Sequence, residues 1–203
     1  MSTEARPGHR IVVFIDMLGF SELVNRFDSE IPPGGFRDFH FSSLEELDSQ
    51  LRFTAHPLEH RFAAFHGVIE AHVRRQALND APHSVTFSDS AFVAFHFPVV
   101  AYRFAVDVMR DLIIRKTPAR MGIAPGTFRG RRYSSDATEH VQRHSFQFFG
   151  TGVVAAHQVE ACGLKGMRIL LHPDLSLTDH PVFTVISDAV DPARPLTLLC
   201  QVH

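Results

Sequence analysis

Cysteine is scarce in this chain, and the long apolar segments that mark membrane or secreted proteins are missing. Cys162 and Cys200 lie far apart without a CxxC or Cys/His spacing, so neither a disulfide framework nor a structural zinc site is indicated. The longest apolar runs, such as 92–95, are much shorter than the ~20 residues that cross a bilayer. Residues 1–9 lack the apolar core of a signal peptide. We therefore expect a cytoplasmic protein with no membrane contact.

An excess of one charge is missing too, because 20 Lys and Arg oppose 22 Asp and Glu. Without a general basic field, nucleic acid is not an expected partner. A length of 203 residues suits one domain with a sizeable core and is too short for two. We predict a single domain over 1–203, with a loose arm at 1–9 and additional strands at 173–203. Trp is absent as well, whereas Phe is abundant, with 19 residues.

The most informative stretch is 11–21. An apolar, β-branched run of the kind found in buried strands ends at Asp16, and Gly19 then permits a tight turn. An amphipathic helix is predicted to begin at Phe20 and Ser21. The unpaired backbone N–H groups of such a helix start form an anion cradle beside an acidic side chain. The stretch therefore predicts a phosphate and metal site.

A second acid, Asp89, lies at the tip of a predicted hairpin with strands at 84–87 and 91–95. The order β-α-(α)-α-β-β-α-β-β-α-β predicts an α+β sandwich with a ferredoxin-like core, in which a mixed, largely antiparallel sheet is flanked by helices. Asp16 and Asp89 can then lie on adjacent strands, where their repulsion favours a divalent cation. Alternatively, Asp89 only shapes its turn and Asp16 only caps a helix.

Hydrophobic periodicity predicts the other elements. Helices are expected at 20–27, 43–53, 58–78, 99–116 and 151–162. Further strands are expected at 10–17, 119–128, 146–149, 167–171, 182–187 and 196–202. A mobile connection is predicted at 29–41 and a polar loop or flap at 129–135.

These motifs resemble those of the class III nucleotidyl cyclases. Asp16–Ser21 matches the first metal motif of that family, Asp-Ile-x-Gly-Phe-Ser/Thr, and Phe87–Ser90 matches the hairpin with the second metal Asp. Arg120–Gly126 is similar to the Arg-x-Gly-Ile-His-x-Gly strand. Residues 150–160 and 166–171 resemble the last catalytic helix and the strand that follows it.

The resemblance covers roughly 10–172 and implies a cyclase catalytic domain. It implies two Mn²⁺ or Mg²⁺ ions, held by the carboxylates of Asp16 and Asp89 and by the backbone carbonyl of Met17. It also implies that the turn after Asp16 binds the triphosphate of a nucleotide and that Arg120 contacts the polyphosphate.

Four positions depart from the family pattern. Val154 and Gln158 stand where the family has its transition-state Asn and Arg, and Val85 and Gln147 stand near its purine-selecting Lys and Asp. A standard adenylyl or guanylyl cyclase is therefore not favoured, because such an enzyme needs both pairs. Two interpretations stay open: a catalytically inactive nucleotide-binding or dimerisation module, or an enzyme that recognises another base.

We favour the enzyme, because an inactive module has no need of two adjacent acids, which cost stability when no cation lies between them. In this interpretation the chain is similar to the pyrimidine cyclases of the Pycsar antiphage systems. This resemblance implies the cyclisation of UTP, or of CTP as the less favoured substrate. The cyclic nucleotide then activates a separate effector protein. It also implies a head-to-tail homodimer with active sites at the interface.

The missing cation has several candidate sources. Arg10 shares its strand parity with Asp16 and is predicted to contact phosphate from the start of the strand. Other candidates are Arg129, Arg131, Arg132 and His157.

Overall fold

The computed structural model describes residues 8–27, 30, 39–77, 80–134, 144–175, 183–186 and 197–201. Within these residues, the helices are α1 (Phe20–Phe27), α2 (Leu44–Leu51), α3 (Pro57–Gln76), α4 (Pro98–Ile114) and α5 (Thr151–Glu160). The strands are β1 (His9–Met17), β2 (His83–Phe87), β3 (Ser90–Phe95), β4 (Ala119–Thr127), β5 (Arg129–Ser134), β6 (His144–Phe149), β7 (Arg168–Leu171), β8 (Phe183–Ile186) and β9 (Thr197–Gln201).

The central sheet is mixed and contains seven strands in the order β2-β3-β1-β4-β7-β9-β8. Its pairs are antiparallel except for β4 and β7, which are parallel because α5 crosses between them. The predicted α+β fold with a mixed sheet and flanking helices is thus confirmed. The predicted polar loop or flap at 129–135 is corrected for 129–134, which form strand β5 and pair with β6 in a separate two-stranded ribbon, and residue 135 lies outside the described residues.

Strand β1 is buried on both faces, which explains its unbroken apolar sequence. Val13 and Ile15 contribute to the larger core, which is formed with α2, α3 and α4. Val12 and Phe14 point to the opposite face and pack in a smaller cluster under α5. Asp16 has the same parity as Val12 and Phe14, so it lies on the α5 side of the sheet.

Helix α5 lies unusually close to β4 because Gly122 has no side chain. A Cβ atom at this position would lie 2.1 Å from the carbonyl oxygen of Ala156 and 2.7 Å from the backbone nitrogen of Glu160. The last turn of α5 therefore rests directly on the strand that carries Arg120.

Three predicted segments lie partly outside the described residues. Of the predicted loose arm at 1–9, residues 1–7 lie outside the described residues, whereas His9 already belongs to β1. Of the predicted connection at 29–41, residues 29 and 31–38 lie outside them. Of the C-terminal segment, 176–182, 187–196 and 202–203 are outside, and the two predicted strands are seen as β8 and β9.

In the part of the chain that the structure describes, no helix combines the length and the hydropathy that a membrane span requires.

Candidate functional site

Asp16 lies near the end of β1, between two partners on the neighbouring strands. The register places it opposite Ser90 of β3 and Arg120 of β4. Its Oδ1 accepts a hydrogen bond of 3.1 Å from the hydroxyl of Ser90, and its Oδ2 accepts one of 2.8 Å from Nε of Arg120. The side chain is 16% exposed, so the carboxylate is accessible from solvent. The sequence singled out both Asp16 and Arg120, and the structure brings them together.

Asp89 lies in the turn between β2 and β3, next to the end of β1. The backbone N–H of Met17 donates a hydrogen bond of 2.8 Å to the carbonyl oxygen of Asp89. Because Asp16 is paired with Ser90, the two aspartates occupy adjacent strand ends, as the sequence predicted. On the helix side, Nε2 of His66 lies 2.6 Å from the carbonyl oxygen of Ser88, and this contact fixes the hairpin against α3.

The turn after β1 has the geometry expected of a helix start. Gly19 adopts a φ of +75°, a left-handed conformation that favours glycine, and α1 begins at the next residue. Gly19 and Ser21 are exposed, whereas the half-buried ring of Phe20 packs on the larger core. Phe20 therefore anchors α1 by its side chain, and the backbone of the turn faces solvent.

Arg10 is not brought to this site within one chain. It pairs with Gly126 at the opposite end of β1, six residues from Asp16, which corresponds to about 20 Å along the strand. Its guanidinium group donates a hydrogen bond of 3.0 Å to the carbonyl oxygen of His9. Arg10 has the same strand parity as Asp16, as predicted, but it lies far from the Asp16 carboxylate.

Two charged residues that the sequence did not single out complete the site. Arg168 of β7 is paired with Arg120, so one row of side chains crosses four strands as Ser90, Asp16, Arg120 and Arg168. Glu160, the last residue of α5, is 3% exposed and its Oε1 contacts Nε of Arg120. Neither residue had a signal in the sequence, because each is an isolated charge. Arg168 meets the others through strand register, and Glu160 meets them through the packing of α5 on β4.

Burial raises the pKa of the Glu160 carboxyl group, and the nearby charge of Asp16 raises it further. The positive charges of Arg120 and Arg168 act in the opposite direction. Nη2 of Arg168 lies 3.9 Å from Oε1 of Glu160, and its hydrogen bond of 3.0 Å goes to the backbone carbonyl oxygen of Glu160 instead. Arg120 is therefore the closest cation to both acids.

The residues at this site are suited to a divalent cation that also binds a substrate. Within the described residues, no three His, Cys, Asp or Glu side chains are close enough to hold a metal ion by themselves. Mg²⁺ and Mn²⁺ commonly bind one or two carboxylates and take phosphate oxygens and water as their other ligands. Carboxylate and carbonyl oxygens at Asp16, Met17 and Asp89 provide donors of this type. Arg120 already supplies a positive charge, however, so repulsion between the two aspartates does not by itself require a metal.

The positions that depart from the cyclase pattern offer few cations. On α5, Val154, His157 and Gln158 are exposed, and the ring of His157 lies 5.2 Å from that of Phe14. Arg129 is exposed at the start of β5. The side chains of Arg131 and Arg132 lie outside those that the structure describes.

An aromatic surface occupies the same face of the sheet, next to the Asp89 hairpin. Ring centroids of Phe92 lie 4.5 Å from Phe14 and 5.2 Å from Phe148, and Phe87 lies 5.9 Å from Phe148. Val85 packs against this cluster, and Phe87 is 43% exposed. The face is therefore apolar where it opens to solvent.

No protein-family model matches the sequence, and no curated protein does. Several solved structures match the fold. The guanylate cyclase domain of RhGC from Catenaria anguillulae, in complex with GTP, is 12% identical over 96% of this chain and 97% of that one, with a TM-score of 0.58. The guanylyl cyclase domain of RhoGC from Blastocladiella emersonii is 15% identical over 95% of each chain, with a TM-score of 0.56.

An adenylate cyclase from Trypanosoma brucei is 13% identical over 98% of this chain and 91% of that one, with a TM-score of 0.56. The likeness therefore extends over almost the whole length of both partners in each comparison. Identities this low establish the architecture alone. The chain has the fold of the nucleotidyl cyclase catalytic domains.

Proposed function

We propose that this protein is a pyrimidine nucleotide cyclase that converts its substrate to the 3′,5′-cyclic monophosphate and pyrophosphate. The favoured substrate is UTP, and CTP is the second choice. The observation that carries the proposal is the position of Asp16. It lies at a strand end next to the Asp89 hairpin, directly before an exposed glycine turn, and in contact with an arginine, on a cyclase fold.

Each part of the site has a role in this reaction. The carboxylates of Asp16 and Asp89 and the carbonyl oxygen of Met17 would hold two Mn²⁺ or Mg²⁺ ions. Such ions activate an attacking hydroxyl and neutralise a leaving pyrophosphate. The exposed backbone of the turn from Gly19 to Ser21 binds the triphosphate through its N–H groups.

Arg120 neutralises the polyphosphate, since its side chain is 36% exposed and already lies beside Asp16. In the reaction, the ribose 3′-hydroxyl releases its proton to water and its oxygen forms a bond to the α-phosphorus, while the bond from that phosphorus to the oxygen that bridges to the β-phosphorus breaks and pyrophosphate leaves. Negative charge accumulates on the departing pyrophosphate, which a guanidinium group at this position stabilises.

The choice of a pyrimidine is supported by the two positions that depart from the purine-selecting pair and by the resemblance to pyrimidine cyclases. Val85, near the position of the purine-selecting Lys, is apolar and packs against the phenylalanine cluster, and Gln147 is exposed. Neither provides a charged group to the edge of a purine. Aromatic rings bind any base through its face, so the discrimination between bases must come from other contacts.

A homodimer with active sites at its interface accounts for the missing transition-state cation, because a second chain can supply groups that one chain lacks. The cyclic product acts as a second messenger on a separate effector in cytoplasmic antiphage defence. These parts of the proposal are supported by the resemblance to pyrimidine cyclases.

Product analysis tests the reaction. Purified protein is incubated with Mn²⁺ and with ATP, GTP, UTP or CTP in separate reactions, and the products are identified by mass spectrometry. We expect cyclic UMP, or cyclic CMP, and its absence from all four reactions would refute the proposal. Asp16→Asn and Asp89→Asn should each lower turnover at least about 100-fold, because each removes a charged group at the reacting centre. Circular dichroism checks their fold, and Glu70→Gln, an exposed change on α3, is the charge-matched control.

A second candidate, a catalytically inactive nucleotide-binding or dimerisation module, is favoured by the ion pair between Asp16 and Arg120. This pair satisfies Asp16 without a metal, and Val154 and Gln158 provide no charge for a transition state. The module predicts that nucleotides raise the melting temperature whether or not Mn²⁺ is present, and that no product forms. A thermal-shift series with and without Mn²⁺ separates the two functions, because a ligand stabilises only the state that it binds.

A further inference from the structure

The guanidinium group of Arg120 lies between two carboxylates of different exposure. Nε is 2.8 Å from Oδ2 of Asp16, and the same atom contacts Oε1 of Glu160. Asp16 is 16% exposed and faces the proposed substrate, whereas Glu160 is 3% exposed and lies between α5 and the sheet. Arg120 therefore connects an outer acid with an inner one.

The inner acid depends on this contact. Oε1 of Glu160 is buried, and among the described residues it receives no hydrogen bond of good geometry. Arg168 is the second cation near this oxygen, but its Nη2 lies 3.9 Å away and its hydrogen bonds go to the carbonyl oxygens of Glu160 and Gly166, so Arg120 is the nearer partner. Because a buried charge without a partner is strongly unfavourable, Glu160 retains Arg120 even when Arg120 loses its other partner.

We propose that Glu160 is a positioning residue, which holds Arg120 when Asp16 exchanges the guanidinium group for a divalent cation. This inference rests on the proposed function. Arg120 and a divalent cation compete for the negative charge of the same carboxylate, so metal binding weakens the pair between Asp16 and the guanidinium group. With Glu160 as a second partner, Arg120 keeps one ion pair during the exchange and stays next to the polyphosphate.

Binding of Mn²⁺ without any nucleotide tests this role, measured from the loss of the free Mn²⁺ signal in electron paramagnetic resonance. In Glu160→Gln, Arg120 pairs with Asp16 alone and competes more strongly with Mn²⁺. We expect the Kd for Mn²⁺ to rise about fivefold, within the range of coupling between neighbouring charges. In Arg120→Gln the competitor is absent, so adding Glu160→Gln should then change the Kd little.

Glu160→Asp separates contact from charge and provides a second variant if Glu160→Gln does not fold. It keeps the negative charge but shortens the side chain by one methylene, and the Kd should rise here too. The control is Glu70→Gln, which removes an exposed carboxylate on the other side of the sheet and should leave the Kd unchanged. Thermal unfolding of every variant confirms that the protein measured is folded.

The outcomes separate the inference from the function. If Glu160→Gln binds Mn²⁺ as wild type does, or weakens binding equally with and without Arg120, the positioning role is refuted, since the effect is then absent or due to charge alone. If wild type binds no Mn²⁺, or Asp16→Asn binds it unchanged, the proposed metal site itself is wrong. If Glu160→Gln weakens Mn²⁺ binding only when Arg120 is present, the inference is supported.

Discussion

At the scale of single residues, Gly122 determines whether the site can assemble. The distance between α5 and β4 is set by its missing side chain, since a Cβ there would lie 2.1 Å from the carbonyl oxygen of Ala156. This close approach brings Glu160 into contact with Arg120, which is two residues from Gly122 on the same face of the strand. A glycine without any chemistry of its own thus sets the geometry of the charged row.

Gly122→Ala should therefore lower the free energy of unfolding by about 3 kcal/mol, because backbone atoms of α5 must shift to admit the methyl group. Urea denaturation at neutral pH measures this. The control is Gly163→Ala: Gly163 has a φ of +91° and no atom within 4 Å of a built Cβ. It should cost about 1 kcal/mol from backbone strain alone. An equal loss in both variants would mean that the packing of α5 on β4 is not tight.

The residues of the site differ in how far the sequence could reveal them. Asp16 was predictable because a charge ends an apolar run, and Asp89 because it follows a strand in a turn pattern. Arg120 was found through the resemblance to cyclase motifs. Glu160 could not be found, because an acid at the end of a helix is ordinary, and its partners come from strands that are distant in the sequence. The remote position of Arg10 could have been calculated from the sequence, because six residues of extended strand separate it from Asp16 by about 20 Å, whereas strand parity fixes only the face.

At the scale of elements, a buried hydrogen bond between two side chains joins α3 to α4 on the far side of the sheet. Nε2 of His72 lies 2.7 Å from Oδ2 of Asp111, and His72 is almost fully buried. Burial lowers the pKa of His72, while the bond to Asp111 opposes this effect. Arg115, directly after the end of α4, forms a bidentate pair with Asp48 of α2, and both contacts are 2.8 Å. The helical layer is thus held together by polar contacts as well as by its apolar core.

The His72 pair predicts a dependence of stability on pH. Because the pKa of His72 in the folded chain lies below the ordinary histidine value of about 6.5, the unfolded chain binds a proton more readily than the native chain between these two pH values. The stabilisation is complete above 6.5 and is lost as the pH falls toward the folded pKa. Urea denaturation at pH 7.5 and at about pH 5.5 should show a smaller loss in His72→Gln than in wild type, since Gln can donate to Asp111 without titrating.

Two other histidines, His60 and His66, have pKa values lowered by burial and contribute in the same direction, so part of the loss should remain in the variant. His40→Gln, a change at an exposed histidine outside the α3 and α4 contact, is the control and should match wild type. A loss as large in His72→Gln as in wild type would exclude His72 as a contributor.

The elements themselves were predictable wherever burial determines the sequence. Each helix from α2 to α5 begins and ends within two residues of its predicted bounds, because apolar residues recur at helical spacing. Strand β5 was missed for the opposite reason. Its sequence, Arg-Gly-Arg-Arg-Tyr-Ser, lacks apolar alternation, and its backbone hydrogen bonds to β6 leave no trace in a pattern that reports burial.

At the scale of the whole molecule, the two faces of the sheet are covered unequally. Helices α2, α3 and α4 cover one face, whereas α5 covers part of the other. Apolar side chains are exposed on the second side, with Val154 on α5 and Phe87 at the end of β2. A second copy of the chain on this side would bury these residues, in keeping with the homodimer that the proposed function requires.

Val154→Glu places a charge on this surface at a position that is 56% exposed, so the fold of the single chain should tolerate it. In a dimer that buries Val154, the unpaired charge would be strongly unfavourable. We expect sedimentation analysis to show a dimer for wild type and a monomer for the variant, which should also form no cyclic nucleotide. The control is Ile114→Glu, at the end of α4, where the residue is 66% exposed; it should keep the dimer and its turnover. A dimeric Val154→Glu protein would exclude Val154 from the interface, and a monomeric wild type with full turnover would show that one chain supplies every catalytic group. In that case the transition-state cation has to come from the chain's own residues, and Arg120 is the one that the structure already places beside Asp16.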